Sequence, residues 1–362
     1  MPFTSFFKEI PDPRIDRKKL HLLADIIGLV VIATICGVEG WESIEDFGKV
    51  KIDILRTILE IPNGIPSHDT IERVFKRMKP EAFEVAFQGF SKHLGARTPG
   101  KHISFDGKFL RGSQDEKNGT PALLLVSAWV TENEMVFTQL KVESKTNEIT
   151  ALHQLVSLLD LEGSMVTIDA IGCQRDLTQE IVDAGADYII GLKENQKTLF
   201  KQAKSLFSIE KPFDEYEKTE KNGGRIETRK CTVIQSLGFL DEADKWPTIK
   251  SLIRIESTRQ KSGKTTQKSR YYISSKIDSA PNFNGFIRDH WKIENSFHWV
   301  LDVAFNEDHS RKRKDNAGEN FALIRRITLN ILKQDKSNRF GIANKRLKAS
   351  YDQAYLLKLL GF

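Results

Sequence analysis

Three acidic side chains, Asp106, Asp169 and Glu294, fall where their surroundings would place them for joint chemistry. His102–Asp106 (HISFD) reads as a short strand ending on its carboxylate, with Gly107 as a turn residue after it; Met165–Ile168 (MVTI) reads as a strand ending at Asp169. Glu294 lies in Arg288–Arg311, RDHWKIENSFHWVLDVAFNEDHSR, which reads as one helix. Ile293, Phe297, Val300, Leu301 and Ala304 recur there at helical spacing as a buried stripe. Glu294 stands at the edge of that stripe, on the side of Phe297, His298 and Leu301. Carboxylate oxygens are hard ligands suited to Mg²⁺ or Mn²⁺, and two such ions ~3.5–4 Å apart can serve the attacking and leaving oxygens of an in-line phosphoryl displacement. The plain alternative for Glu294 is a solvated helical acid paired with His298, and every chain has scattered acids. Placement at two strand ends and on one covering helix sets these three apart.

Other polar residues gather near them. Lys108 and Arg111 follow Asp106 and read equally as phosphate ligands or surface charge. Lys193, Asn195 and Gln196 follow a strand, where the loops of open sheets meet ligands, although Asn195 also suits a helix cap. His290, Trp291, Asn295, His298 and Trp299 surround Glu294. Either Trp could stack on an unpaired base, but core packing is the stronger expectation for both. Asp302, Glu307 and Asp308 could be extra acids of the site, but salt bridges with Arg311 and Arg313 are the stronger expectation.

The elements that would position these residues follow from periodicity and punctuation. Residues 1–97 form a helical N-terminal region: a buried helix within Leu22–Val38, then Trp41–Val50, Lys51–Glu60, His68–Met78 with Ser67 as N-cap, and Pro80–Leu94. PSHDTIERVF hints at a small helical DNA-binding unit, and Arg97–Lys101 reads as a linker. From 102 to 332 the pattern turns α/β. After HISFD come strands Ala122–Thr131 and Met135–Glu143 joined by a hairpin at Glu132–Glu134. An Asn-capped helix Asn147–Leu159 leads to strand Met165–Ile168, helix Gln174–Ala184, strand Tyr188–Leu192 and helix Glu194–Ile209. Three strands in antiparallel meander and two in parallel extension suit that order. Lys211–Ser279 breaks the rhythm as a β-rich insertion, with strands at Ile226–Ile234, Leu252–Ser257 and Arg270–Ser274. Glu319–Leu332 is an amphipathic helix, and 333–362 a basic helical tail.

Composition narrows the setting. The 362 residues allow two domains or one with insertions, and 40% hydrophobic with 29% charged content is that of a soluble globular chain. Net charge is +6, yet Asp308–Lys348 alone carries 12 Lys/Arg against 4 Asp/Glu, pointing to a polyanionic partner, nucleic acid above all. Cys36, Cys173 and Cys231 form neither a disulfide framework nor a CxxC site, which fits a reducing cytoplasm. No secretory signal opens the chain. Leu22–Val38 would span only ~26 Å as a helix, short of the ~30 Å hydrocarbon core, and Asp25 interrupts it, so no membrane partner is expected.

The segments FDGKFLRGS, TIDAIGCQRDL, DYIIGLKENQ, GRIETR, RYYIS and HWKIENSFHWVLDVAFNEDHSR resemble the DDE transposases of bacterial insertion sequences, in the group that includes the H-repeat-associated proteins. The resemblance runs from the N-terminal helical segment to about Leu332, and the last motif is the most specific. It implies a ribonuclease-H-like catalytic core with a β-rich insertion, preceded by a helical domain. Asp106, Asp169 and Glu294 would be the acidic triad, holding two Mg²⁺ or Mn²⁺ ions. DNA contacts are expected through Lys108, Arg111, Lys193, Asn195, Gln196, Arg225, His290, Trp291, Asn295, His298 and Arg311. Two departures stand out. Ile287, His290 and Leu301 occupy the Tyr, Arg and Lys positions of the pattern that related transposases carry around this Glu, and Gly223 stands where relatives commonly have His before the Gly-Arg of GRIETR.

The expected activity is DNA transposition: metal-activated water cuts a phosphodiester at each element end, and the freed 3′-hydroxyl attacks target DNA. A homodimer on double-stranded DNA, element ends and target, in the bacterial cytoplasm at the nucleoid is expected with it. Two alternatives stay open on the sequence: a catalytically silent DNA-binding relic, and a metal-dependent nuclease without strand transfer.

Overall fold

Residues 3–142, 148–238, 240 and 243–361 are described in the computed structural model. The helical N-terminal region comprises α1 (Leu23–Ile35), α2 (Trp41–Val50), α3 (Ile52–Leu55), α4 (His68–Arg77) and α5 (Pro80–His93). Helix α1 is apolar on every face and accordingly buried along its whole length. Asp25, the one charge in it, accepts from the backbone N–H groups of Ile61 (2.8 Å) and Glu60 (3.2 Å). Among the described residues no helix is long and apolar enough to cross a membrane. The segment expected to be helical over Lys51–Glu60 is helical only over α3. Ser67 stands at the N-cap of α4 but does not cap it: its hydroxyl faces Thr70 Oγ1, while Glu45 accepts the His68 N–H at 2.7 Å.

The α/β region contributes β1 (His102–Leu110), β2 (Leu123–Val130), β3 (Met135–Val142), α6 (Glu148–Leu158), β4 (Met165–Ile168), α7 (Arg175–Asp183), β5 (Asp187–Leu192) and α8 (Lys197–Ile209). Four long strands follow: β6 (Asp214–Asn222), β7 (Arg225–Ile234), β8 (Ser251–Lys261) and β9 (Lys264–Ser274). All nine form one sheet, ordered β3-β2-β1-β4-β5-β9-β8-β7-β6. β1, β2 and β3 are antiparallel, β4 and β5 run parallel to β1, and the hairpins β6–β7 and β8–β9 extend the sheet beyond β5. Strand β6 escaped the sequence reading because its alternation of charged residues buries no apolar face. The Asn147 cap lies outside the described residues.

Two readings around the acids change. β1 does not end at Asp106. Its pairing with β2 continues through Gly107, opposite Val126, to Leu110, opposite Leu123; only its pairing with β4 stops, at Phe105 opposite Ile168. Gly107 is not a turn but a point of close approach, where a Cβ would press into the Glu148 carboxylate. Nor is Arg288–Arg311 one helix. Helix α9 (Ala280–His290) gives way to a wider π turn over Ile293–His298, then to α10 (Trp299–Phe305), which ends at Asn306 in the left-handed region (φ 53°). The widening has a local cause: Asn295 turns its side-chain amide back onto the Trp291 carbonyl (2.9 Å), competing with the backbone for that acceptor. Ile293, Phe297 and Leu301 are buried as the stripe expected, with Val300 and Ala304 partly buried.

Helices α6, α7 and α8 cover one sheet face over Phe105, Val126 and Ile168. On the other, Phe283 and Ile287 of α9 pack over Met165 and Ile189, while Phe297 stacks on Trp129 with ring centres 5.4 Å apart. The N-terminal helices share one apolar core with α10, α11 (Ala317–Gln334), α12 (Ile342–Tyr351) and α13 (Gln353–Leu359). Much of the basic segment is used inward: Arg325, Arg326, Lys333, Lys345 and Arg346 are buried, the first two beside Glu307 and Arg346 on Glu39 at 2.7 Å, whereas Arg311, Arg313, Lys314, Lys336 and Arg339 are exposed. All three cysteines are free and buried.

Candidate active site

Strand register brings Asp106 and Asp169 together. With Phe105 opposite Ile168, they are the next residues on adjacent parallel strands, which run about 4.8 Å apart. Asp106 is half-buried, and its Oδ1 accepts the Gly107 N–H at 2.9 Å. Asp169 is exposed and opens a 3₁₀ turn (Ala170–Gly172), its Oδ1 accepting the Ile171 N–H at 2.9 Å. Burial first, then the neighbouring charges of Asp169, Glu294 and Glu148, push the Asp106 carboxyl up to about 7. Glu294 is exposed on the π turn; partial burial and the charge of Asp169 raise its carboxyl while Arg270 opposes the rise. The three acids thus lie in one another's field, joined by Glu148 at the start of α6, which the sequence reading missed.

The donor chemistry suits a divalent cation: hard carboxylate oxygens held against mutual repulsion, which a cation would relieve. The geometry is looser than a closed cage. Among the described residues no group of three or more His, Cys, Asp and Glu side chains stands close enough to hold a metal ion. Asp106 and Asp169 stand side by side on adjacent strands, and Glu294 lies on its separate turn.

Beneath the acids lies a polar layer on the same strand face. Thr167 Oγ1 is within hydrogen-bond distance of His102 Nε2 (2.9 Å), Ser104 Oγ (3.0 Å) and His290 Nδ1 (3.0 Å). Burial keeps both imidazoles neutral, His102 down to about 3 and His290 down to about 4. His298 is likewise lowered to about 3, by burial and then by the Lys108 and Arg326 cations, so its 3.5 Å contact with Asp106 is not an ion pair. These polar residues had a signal in the sequence: His102, Ser104 and Asp106 alternate with the apolar Ile103 and Phe105 and so share a face.

The other expected site residues divide. Lys108 is buried and committed to Asp302 (2.7 Å) and Asp308 (3.1 Å), not open to a phosphate. Asp302 and Asp308 therefore pair with Lys108, and Glu307 with Arg326, rather than with Arg311 and Arg313. Arg111 is exposed, its Nε 3.6 Å from Asp308. Asn195 does not cap α8: its amide donates to Ala170 O at 2.6 Å, and that of Gln196 donates to Cys173 O at 2.8 Å. Both pin the loop behind Asp169, beside an exposed Lys193. Trp291 is half-buried under the Arg270 guanidinium, 4.7 Å from its ring centre, whereas Trp299 is 60% exposed, against the expectation of core packing. Arg225 sits at the β6–β7 hairpin on Glu227 (3.3 Å), away from the acids, and Arg311 is exposed beyond the Glu307–His309 turn.

Comparison with known families adds the deciding observation. The family described as "Transposase DDE domain" matches residues 97–331, and the "DDE_Tnp_1-associated" family matches residues 4–91. The chain belongs to the DDE transposase family. Relatives carrying transposase names cover nearly all of it. The H repeat-associated YhhI of Escherichia coli (strain K12) is 38% identical over 97% of this chain and 95% of its own. YncI of Escherichia coli O157:H7 is 39% identical over 98% and 93%. A solved structure, the piggyBac transposase synaptic complex with hairpin DNA, aligns at TM-score 0.41 and 10% identity over 93% of this chain and 76% of that one. DDE transposases as a family act on DNA with divalent cations.

Proposed function

We propose that this DDE transposase cuts phosphodiester bonds at the ends of its insertion sequence and joins the freed 3′-hydroxyl to target DNA, using Asp106, Asp169 and Glu294. The observation that carries the reading is the register that sets Asp106 beside Asp169 on β1 and β4, with Glu294 within the field of both. The order β3-β2-β1-β4-β5, antiparallel then parallel, supports a ribonuclease-H-like core over residues 102–332, with β6–β9 as its β-rich insertion. The helical segment 1–97 and the tail 333–362 complete the proposed organisation.

In the first step a water oxygen bonds to phosphorus and the P–O3′ bond breaks, leaving a 3′-hydroxyl and a 5′-phosphate. In the second, that 3′-oxygen bonds to a target phosphorus, the target's own P–O3′ bond breaks, and the displaced 3′-oxygen takes up a proton. Both steps develop charge on phosphate oxygens, so positioning and charge neutralisation suffice for each. Mg²⁺ or Mn²⁺ on the Asp106 and Asp169 oxygens, in one or two sites, would supply the Lewis acid that offsets this charge. The chain's own part is to hold the acids: Thr167 and the neutral His102 and His290 brace β1, β4 and the end of α9, while Asn195 and Gln196 fix the loop after Asp169. The neutral His298 adds no cation beside Asp106. Cytoplasmic action as a homodimer pairing two DNA ends fits this chemistry. The test is cleavage of DNA carrying the element's ends, with and without Mg²⁺, by the wild-type chain and by Asp106→Asn; a variant that cuts as well as wild type would overturn it.

A further inference from the structure

The strand face carrying Asp106 and Asp169 continues across β5 onto β9, β8 and β7, where it is strongly basic. Cross-strand partners share a face, and the register sets Ser257 opposite Arg229 on one side and Lys268 on the other, Arg259 opposite Thr266, and Lys261 opposite Lys264. With Arg270, these residues line an open groove of about 700 Å³ in which Glu227 is the one acid. Arg259, Lys261, Lys264, Lys268 and Arg270 are exposed. Among the described residues, Lys261, Lys264 and Lys268 have no ion-pair partner, unlike the buried cations of α11 and α12. The opposite face of these strands neutralises itself, Lys230 on Glu215 (2.8 Å) and Arg254 on Glu256 (3.2 Å). The groove is joined to the acids: Arg270 lies over Trp291 and within the field of Glu294, three residues on.

We propose that this β7–β9 face is a phosphodiester track that leads duplex DNA to Glu294, an inference resting on the transposase reading above. Unsatisfied cations beside an acidic site call for a polyanion that places phosphate at both. Duplex is the better fit than a single strand, because single-strand tracks need exposed rings for base stacking. Here Trp291 is covered by Arg270 and Tyr272, the aromatic on the β7–β9 face, is buried, while the exposed Trp299 lies on α10 and not on this face. From Lys264 to Arg270 the strand rises about 20 Å, so the track would run along about six base pairs of duplex.

The test measures binding of the full chain to a duplex oligonucleotide across a salt series in EDTA, so that no cleavage enters. Lys261→Ala/Lys264→Ala/Lys268→Ala is compared with the same three positions changed to Arg, all checked by thermal melting. Three lost phosphate contacts should lower the slope of log affinity against log salt by about 2–3 and weaken binding at least about tenfold. The arginine triple should bind as wild type does. An unchanged slope in the alanine triple overturns the track, as does equal weakening by the arginine triple. Absence of duplex binding by the wild type, or tighter binding to single strands or to anionic lipid vesicles, overturns it as well. Failure of the transposase reading appears elsewhere, in the cleavage assay.

Discussion

His290 Nδ1 lies 3.0 Å from Thr167 Oγ1, bonding the last turn of α9 to the strand that leads into Asp169. Glu294 follows four residues later, so this contact fixes the turn that carries one acid against the strand that carries another. One hydroxyl serves His290, His102 and Ser104 together, the full capacity of a single donor with two lone pairs. Thr167→Val keeps the shape and removes the hydroxyl. It should cost about 2–4 kcal/mol by denaturant unfolding, because three buried polar groups lose their partner. Cleavage should fall with it.

Asp106 gives a pH signature in the metal-free protein. Its carboxyl is raised from 3.8 to about 7. Below 3.8 it is protonated folded and unfolded alike and has no effect on stability. Between 3.8 and about 7 the unfolded chain releases the proton first, so this group lowers stability as pH rises, levelling off above 7. Asp106→Asn removes that penalty. The variant should melt like wild type at pH 4 and several degrees higher at pH 8, with a ceiling of about 4 kcal/mol in stability. Thermal melting in EDTA at the two pH values is the check.

Lys108 and Arg111, three residues apart, should part company. Lys108→Met leaves Asp302 and Asp308 without their shared cation inside the protein, and the loss should reach about 3 kcal/mol. Arg111 is exposed and its 3.6 Å contact with Asp308 is solvent-screened, so Arg111→Ala should stay within about 0.5 kcal/mol. Urea unfolding of both variants decides it.

Strand order and the buried N-terminal helix were readable because apolar alternation and runs dictate them: MVTI is β4 to the residue, and Ala122–Thr131 overlaps β2 closely. Gly107 misled, since glycine signals a turn in sequence yet here admits the Glu148 carboxylate, a contact made by a residue 41 positions on. The break in Arg288–Arg311 was hidden because Ile293, Phe297 and Leu301 keep a near-helical stripe through the π turn. Partners of charge were the least legible. Lys108 and Asp302 are 194 residues apart, and local sequence favoured Arg311 and Arg313 for the acids instead.

Gly191 tests how tightly the Asp169 loop must sit. A Cβ there would come within 3.0 Å of the Ala170 backbone nitrogen and 3.4 Å of the Asp169 carbonyl carbon. Backbone cannot yield as a flexible side chain does, so Gly191→Ala should displace the carboxylate. Cleavage should fall about tenfold or more with duplex affinity in EDTA unchanged. Asn195→Ala, which frees the same loop from the other side, should act in the same direction.

The most direct measurement is cleavage of DNA carrying the element's own ends by wild type, Asp106→Asn and Glu294→Gln, each with and without Mg²⁺ or Mn²⁺. The account expects metal-dependent cuts at the ends by the wild type alone, with both variants still binding the DNA. Cutting by either variant at the wild-type rate, or end binding by the wild type without any cleavage, would contradict it.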